Sequence, residues 1–142
     1  MTQFFWTDDL STGSAQIDGD HHVLVDLVNA LIETMETGQD GKRMAKAMND
    51  LIAYTGEHFR REDALMERIE YVAVLAHQAA HTKLLAQLVE LNGILDAGGK
   101  INVPAVSNFL NEWLRDHILS EDMKLAAALK SQPETERLQQ AH

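Results

Sequence analysis

The chain has no cysteine among its 142 residues. Disulfides, thiolate metal sites and thiol catalysis are therefore excluded. Nor does any stretch come near the roughly 18 apolar residues that a membrane span needs. The opening MTQFFWTDD lacks the basic n-region and long apolar core of a signal peptide. Positive charge is scarce: 12 basic residues against 22 acidic ones leave a net charge of −10. A chain that acidic repels nucleic acid and anionic membranes, so neither is an expected partner. The cytoplasm is the expected location. No segment reads as a strand, and there is no internal repeat or low-complexity tract. What remains is an apolar fraction of 45%, enough for the core of one domain.

Four stretches carry helical periodicity. The first runs from about Asp20 to Thr37 and is broken by GQDGK. The second covers about Lys42 to Arg68. The third covers about Val74 to Asp96 and stops at DAGGK, a strong glycine stop. The fourth covers about Val103 to Leu129, with Pro104 in its first turn, where a missing N–H does little harm. Long helices joined by short loops predict an all-α, up-down-up-down four-helix bundle. Residues 1–17 mix aromatics with turn formers and read as an extended arm, with Phe5 or Trp6 packed on the bundle. Residues 18–130 form the bundle. Residues 131–142, broken by Pro133, read as a polar tail or short helical extension.

The inward stripes are not purely apolar. His58 and Glu62 are four apart, about 40° around an ideal helix, and so are His77 and His81. His21 lies on the stripe of the first helix, and His117 follows Trp113 by four on the fourth. Burying such groups without partners costs a few kcal/mol each. A single inward histidine is more often an ordinary core residue than a ligand. Four helices each turning such a group inward is another matter, and a metal is the natural compensation. Imidazole and carboxylate donors suit iron, zinc, copper or nickel. Five imidazoles and Glu62, with a second carboxylate from Asp116, Glu121 or Asp122, are too many donors for one metal and suit two. The chain has no Glu-x-x-His, which disfavours the ferritin-like di-iron pattern.

The motifs IDGDHHVL, HFRREDALM, HQAAH and WLRDHILSED, in this order, resemble those of the hemerythrins, in particular the single-domain bacterial ones. The resemblance runs from Trp6 to about Leu125. It implies two non-haem irons per chain, bridged by carboxylates and an oxo or hydroxo group. It selects His21 over its neighbour His22, and Asp122 over Asp116 and Glu121. One iron would be held by His77, His81 and His117, the other by His21 and His58, with Glu62 and Asp122 bridging. The second iron then keeps an open position. The five-residue spacing from His117 to Asp122 is about 140° on an ideal helix. A local π-type turn would realign the two. The chain departs from the family at Asp20, where glutamine is frequent, and at Asp63, where glutamate is usual. Tuning of the site is expected from Asp20. His22 and His142 match no motif and are expected to be exposed.

The resemblance further implies reversible dioxygen binding, for storage, delivery or buffering, and no enzymatic activity. Nitric oxide and small anions such as azide are further candidate ligands; no protein partner is indicated. Leu24, Phe59, Met66, Trp113, Leu114 and Ile118 match pocket positions of the family. They offer almost nothing polar, and a dry pocket slows oxidation of the metal. Two other classes compete: an oxygen or redox sensor module, and an enzyme acting on nitric oxide or peroxide or in iron supply for cluster repair. A fast-oxidising site would favour either of those. The length of one bundle favours a free-standing carrier.

Overall fold

The computed structural model describes residues 3–38, 41–98 and 101–131. The described chain is all-α. Helix α1 spans Ala15–Glu36, α2 Gly41–Arg68, α3 Val74–Asp96 and α4 Val103–His117; one π turn, Ile118–Asp122, leads from α4 into α5, Met123–Lys130. The backbone stays right-handed helical through both junctions, so α4, the π turn and α5 together form the fourth member of the bundle. Helix α1 packs on α2 and α4, and α2 packs on α3. The Trp113 indole N–H donates to the Leu84 carbonyl at 3.1 Å and ties α4 to α3.

Each helix end has a local cause. Gly38 and Gly98 follow α1 and α3 at φ 65° and 75°, the left-handed backbone that closes a helix and that glycine adopts without steric cost. Asn102 accepts from the Ala105 N–H at 3.1 Å and caps α4. Helix α2 ends differently. The Tyr71 N–H bonds the Met66 carbonyl and the Glu70 N–H bonds that of Glu67, a Schellman closure, but the left-handed residue is Glu70 at φ 52°. That conformation costs an L-residue roughly 1–2 kcal/mol, and glycine's extra chain entropy returns about 0.5–1 kcal/mol. Glu70→Gly is therefore expected to stabilise the protein by about 0.5–1 kcal/mol, measured as a raised urea midpoint with an unchanged m-value.

The amino-terminal arm is shorter than its composition suggests. Helix α1 begins at Ala15, not near residue 18, because Ser14 accepts from the Ile17 N–H at 3.3 Å. Asp18 then reaches back to accept from Thr12 N–H and Oγ1 at 2.9 and 2.8 Å. Part of the arm is itself helical, a single 3-10 turn at Asp8–Leu10. Its anchor is Phe4, only 2% exposed, whose N–H and carbonyl both pair with the Asn29 side chain. An extended segment alternates its side chains, so Trp6 also turns inward and is half-buried, whereas Phe5 is 54% exposed. Of the two alternatives, Phe5 or Trp6, it is Trp6 that packs on the bundle. The tail beyond residue 131 lies outside the described residues, as does His142.

The apolar interior falls into two clusters. The larger includes Leu24, Val28, Leu31, Ile32, Met48, Leu51, Leu88, Leu110, Leu114 and Ile118. The smaller comprises Ile17, Leu65, Met66, Leu125, Ala126 and Leu129. The inward-facing histidines and carboxylates alternate with these residues along α1, α2 and the fourth rod. No helix among the described residues is long and apolar enough to cross a membrane.

Candidate metal centre

Every helix of the bundle sends donors to one buried place. His21 comes from α1, His58 and Glu62 from α2, His77 and His81 from α3, and His117 closes α4. Asp122 comes from the π turn, where the Met123 N–H reaches back five residues to the Ile118 carbonyl. That one wide turn takes up the extra residue, so His117 and Asp122 face the same centre although five residues separate them. Asp116 is exposed and Glu121 is half-buried, and neither joins the cluster.

The donors form two groups that share two members. Glu62, His77, His81, His117 and Asp122 place ligand atoms within 4.8 Å of one another, and so do His21, His58, Glu62 and Asp122. The shared carboxylates divide their oxygens between the groups. Glu62 Oε1 is 2.9 Å from Nε2 of both His77 and His81, while its Oε2 is 3.0 Å from His58 Nε2. Asp122 Oδ1 lies 3.0 and 3.2 Å from Nε2 of His117 and His77; its Oδ2 lies 2.6 and 3.6 Å from Nε2 of His21 and His58. All five imidazoles thus present the same nitrogen inward.

Burial and charge act against each other here. Glu62 and Asp122 are at most 1% exposed. Burial and their mutual repulsion oppose ionisation of Glu62, and burial opposes that of Asp122. The imidazoles around them outweigh this and hold both carboxyls well below the usual range. His58 is pushed up against burial by Glu62, Asp122 and Asp20, and His77 likewise rises to about 9. His81 moves down, because burial and the nearby His77 and His117 outweigh Glu62.

Pairing among themselves does not satisfy these groups. Among the described residues, His58 Nε2, His117 Nε2, Glu62 Oε2 and Asp122 Oδ1 are buried without a well-directed hydrogen bond, although each lies close to another donor atom. Orphaned nitrogens and oxygens that converge at such distances are what a cation would satisfy. The donor set, imidazole nitrogen plus carboxylate oxygen, fits a divalent first-row metal.

The six residues that match the family's pocket positions lie in the interior. Leu24, Phe59, Met66, Trp113, Leu114 and Ile118 are all buried. Phe59 stacks on His81, with ring centroids 3.8 Å apart and planes 7° from parallel, and meets His117 edge-on at 5.6 Å. Met66 belongs to the smaller cluster, whereas Leu24, Trp113, Leu114 and Ile118 belong to the larger. Surface grooves of about 420 and 410 Å³ reach His117 and His81 from outside. His22 is exposed and packs its ring 3.9 Å from that of Trp6. Asp63 Oδ1 stands 3.8 Å from His81 Nδ1, beyond hydrogen-bond reach.

Two residues with a place beside the site were not expected from the sequence. Tyr54 donates to Asp20 Oδ1 at 2.9 Å, and Arg61 donates to both Asp20 oxygens at 2.9 and 3.0 Å. Asp20 in turn bonds His58 Nδ1 at 2.8 Å. Burial raises the Asp20 carboxyl, but His58, Arg61 and Tyr54 outweigh it and bring it to about 2; the same contact, with burial, pushes the Tyr54 hydroxyl up to about 12. A signal was there: Tyr54, His58 and Arg61 fall at i, i+4 and i+7 on one face of α2.

Fold and site together define an all-α bundle built around a buried histidine–carboxylate centre of the non-haem type. Residues 12–129 match the family described as the hemerythrin HHE cation binding domain. The chain belongs to the hemerythrin family. It is 29% identical over 130 residues to the bacteriohemerythrin of Pseudomonas paraeruginosa (strain DSM 24068 / PA7), covering 92% of this chain and 84% of that one. It is 30% identical over 123 residues to the bacteriohemerythrin of Methylococcus capsulatus (strain ATCC 33009 / NCIMB 11132 / Bath), covering 86% and 93%. The crystal structure of a wild-type hemerythrin superposes with a TM-score of 0.80 at 29% identity, over 90% of this chain and 98% of the other.

Proposed function

We propose that the chain acts as one hemerythrin domain that holds two irons and binds dioxygen reversibly, as a store, carrier or buffer and not as an enzyme. The observation that carries this is the division of the carboxylate oxygens: Glu62 and Asp122 each offer one oxygen to the three-histidine group and one to the two-histidine group. In this reading His77, His81 and His117 hold one iron, His21 and His58 hold the other, and the two carboxylates join them. When bound, the iron pair supplies a redox centre with a coordination position open to a small diatomic. The chain's own work is to supply unequal donor sets, three imidazoles on one side and two on the other, so a small ligand would be received on the side of His21 and His58. Azide and nitric oxide would compete there. The apolar surround, Leu24, Leu114 and Ile118 among it, keeps water and protons out and so favours reversibility over turnover.

The test is anaerobic loading with ferrous iron, metal analysis, and absorption spectra through repeated oxygenation and deoxygenation. Two irons per chain and a spectrum that returns over several cycles are expected. One metal per chain overturns the centre; rapid irreversible oxidation would move the reading to a sensor or an enzyme.

Leu114 gives a finer check. It is 1% exposed and sits three residues, just under one helical turn, before His117. Leu114→Ala opens space and admits water, and is expected to speed oxidation in air several-fold with both irons retained. Leu114→Phe is expected to slow azide entry. Stopped-flow azide binding and autoxidation half-lives measure both. Wild-type rates in both variants would make Leu114 ordinary core.

A further inference from the structure

The five inward histidines are not braced alike. Among the described residues, Nδ1 of His21, His77, His81 and His117 finds no hydrogen-bond partner. His58 is the exception, with its Nδ1 2.8 Å from Asp20 Oδ2. Asp20 does not hang free either. Arg61 grips both its oxygens, Tyr54 donates to Oδ1, and the Arg61 guanidinium lies 5.2 Å over the Tyr54 ring. The carboxylate is thus locked in place from α2 at residues 54, 58 and 61 while it comes from α1. The residue immediately before His21 in the chain thus contacts a different histidine, His58.

An imidazole whose Nδ1–H donates to a fixed carboxylate has one tautomer and one ring orientation, with Nε2 free to ligate and more basic. Among the described residues, only the two-histidine side of the centre has this brace. We propose that Asp20, held by Arg61 and Tyr54, is a positioning residue that makes the His21–His58 metal position selectively dependent on it for affinity and for reduction potential. This rests on the two-metal reading above. Arg61 is partly exposed, so the line Arg61–Asp20–His58 also connects the protein surface to that one metal position.

The experiment titrates metal-free protein with cobalt(II), following visible absorption and calorimetry, in wild type, Asp20→Ala and Asp20→Asn. Two cobalt ions per wild-type chain are expected; fewer would sink the two-metal reading itself and not this inference. In Asp20→Ala one site is expected to weaken by ~10–100-fold, the usual loss when a hydrogen-bond partner of a ligating histidine is removed, with the other within ~3-fold. Asp20→Asn keeps an acceptor for His58 Nδ1–H but removes the charge and leaves Arg61 uncompensated. It is expected to hold both cobalt ions and, loaded with iron, to show a raised midpoint potential. Equal weakening of both sites in Asp20→Ala, or no weakening, overturns the proposal, because a carboxylate that merely tied α1 to α2 would act on the two sites alike. If Asp20→Ala fails to fold, Asp20→Asn decides alone: an unchanged potential overturns it.

Discussion

Metal-free protein is expected to melt at least 8–16 °C below the metal-loaded form at pH 8. One tightly bound ion at a thousand times its dissociation constant contributes about 4 kcal/mol, and each kcal/mol moves the midpoint by roughly 2–4 °C in a chain of this size. A second ion adds to this. The difference depends on pH in a direction that follows from the site. In the metal-free fold His58 and His77 are raised above 6.5, His77 to about 9. Their contribution to stability is full below the unfolded value of about 6.5 and is lost as pH rises through the folded one. Glu62 and Asp122 are lowered, so their contribution is present above about 4.5 and lost as pH falls. His81, moved down, adds to the loss on the acid side. Metal-free stability should therefore peak between about pH 5 and 6.5. Metal binding must also expel protons from His58 and His77, so affinity rises with pH. The melting gap should be widest near pH 8–9 and should close toward pH 4.5. Melts of metal-free and zinc-loaded protein across that range measure it. Equal melting temperatures at pH 8 would contradict a centre linked to folding.

Much of this centre was legible because burying imidazole conflicts with helix patterning. His21, His58, His77, His81 and His117 occupy positions that a bundle reserves for leucine or valine, and all five are buried. The helix bounds were legible where glycine ended a periodic run, as at Gly38 and Gly98. The π turn was legible as a contradiction: His117 and Asp122 had to converge, and five α-helical residues could not bring them together. Other features were hidden. The start of α1 depends on Ser14 and Asp18 side chains competing with turn formers, and Gly19 inside the helix obscures the pattern. Phe4 rather than Phe5 anchors the arm because Asn29 pairs both its backbone groups, a contact between distant residues that no local pattern shows. The brace behind His58 needs Asp20 on α1 and two residues of α2 to meet, which only packing decides.

Asp122→Asn is expected to abolish paired metal binding, leaving at most one ion per chain, whereas Asp116→Asn and Glu121→Gln keep two. The three acids stand within seven residues of one another on the same rod, and charge alone does not separate them. Position does. Asp122 is fully buried with one oxygen toward each histidine group, while Asp116 and Glu121 have no atom in either. Asp122→Asn removes the negative charge shared by both groups and leaves one oxygen where two were, so the amide can serve His21's side or His117's side but not both. In the metal-free protein, breaking a buried charge pair on one side costs about 3–5 kcal/mol, so Asp122→Asn should also be the least stable of the three. Glu62→Gln is expected to behave as Asp122→Asn does, because its oxygens are divided in the same way. Cobalt stoichiometry and urea midpoints for the four variants separate the cases. Asp122→Asn with two ions bound would show that the carboxylate does not join the groups. Glu121→Gln losing an ion would show that the π turn presents a different acid than the structure places there.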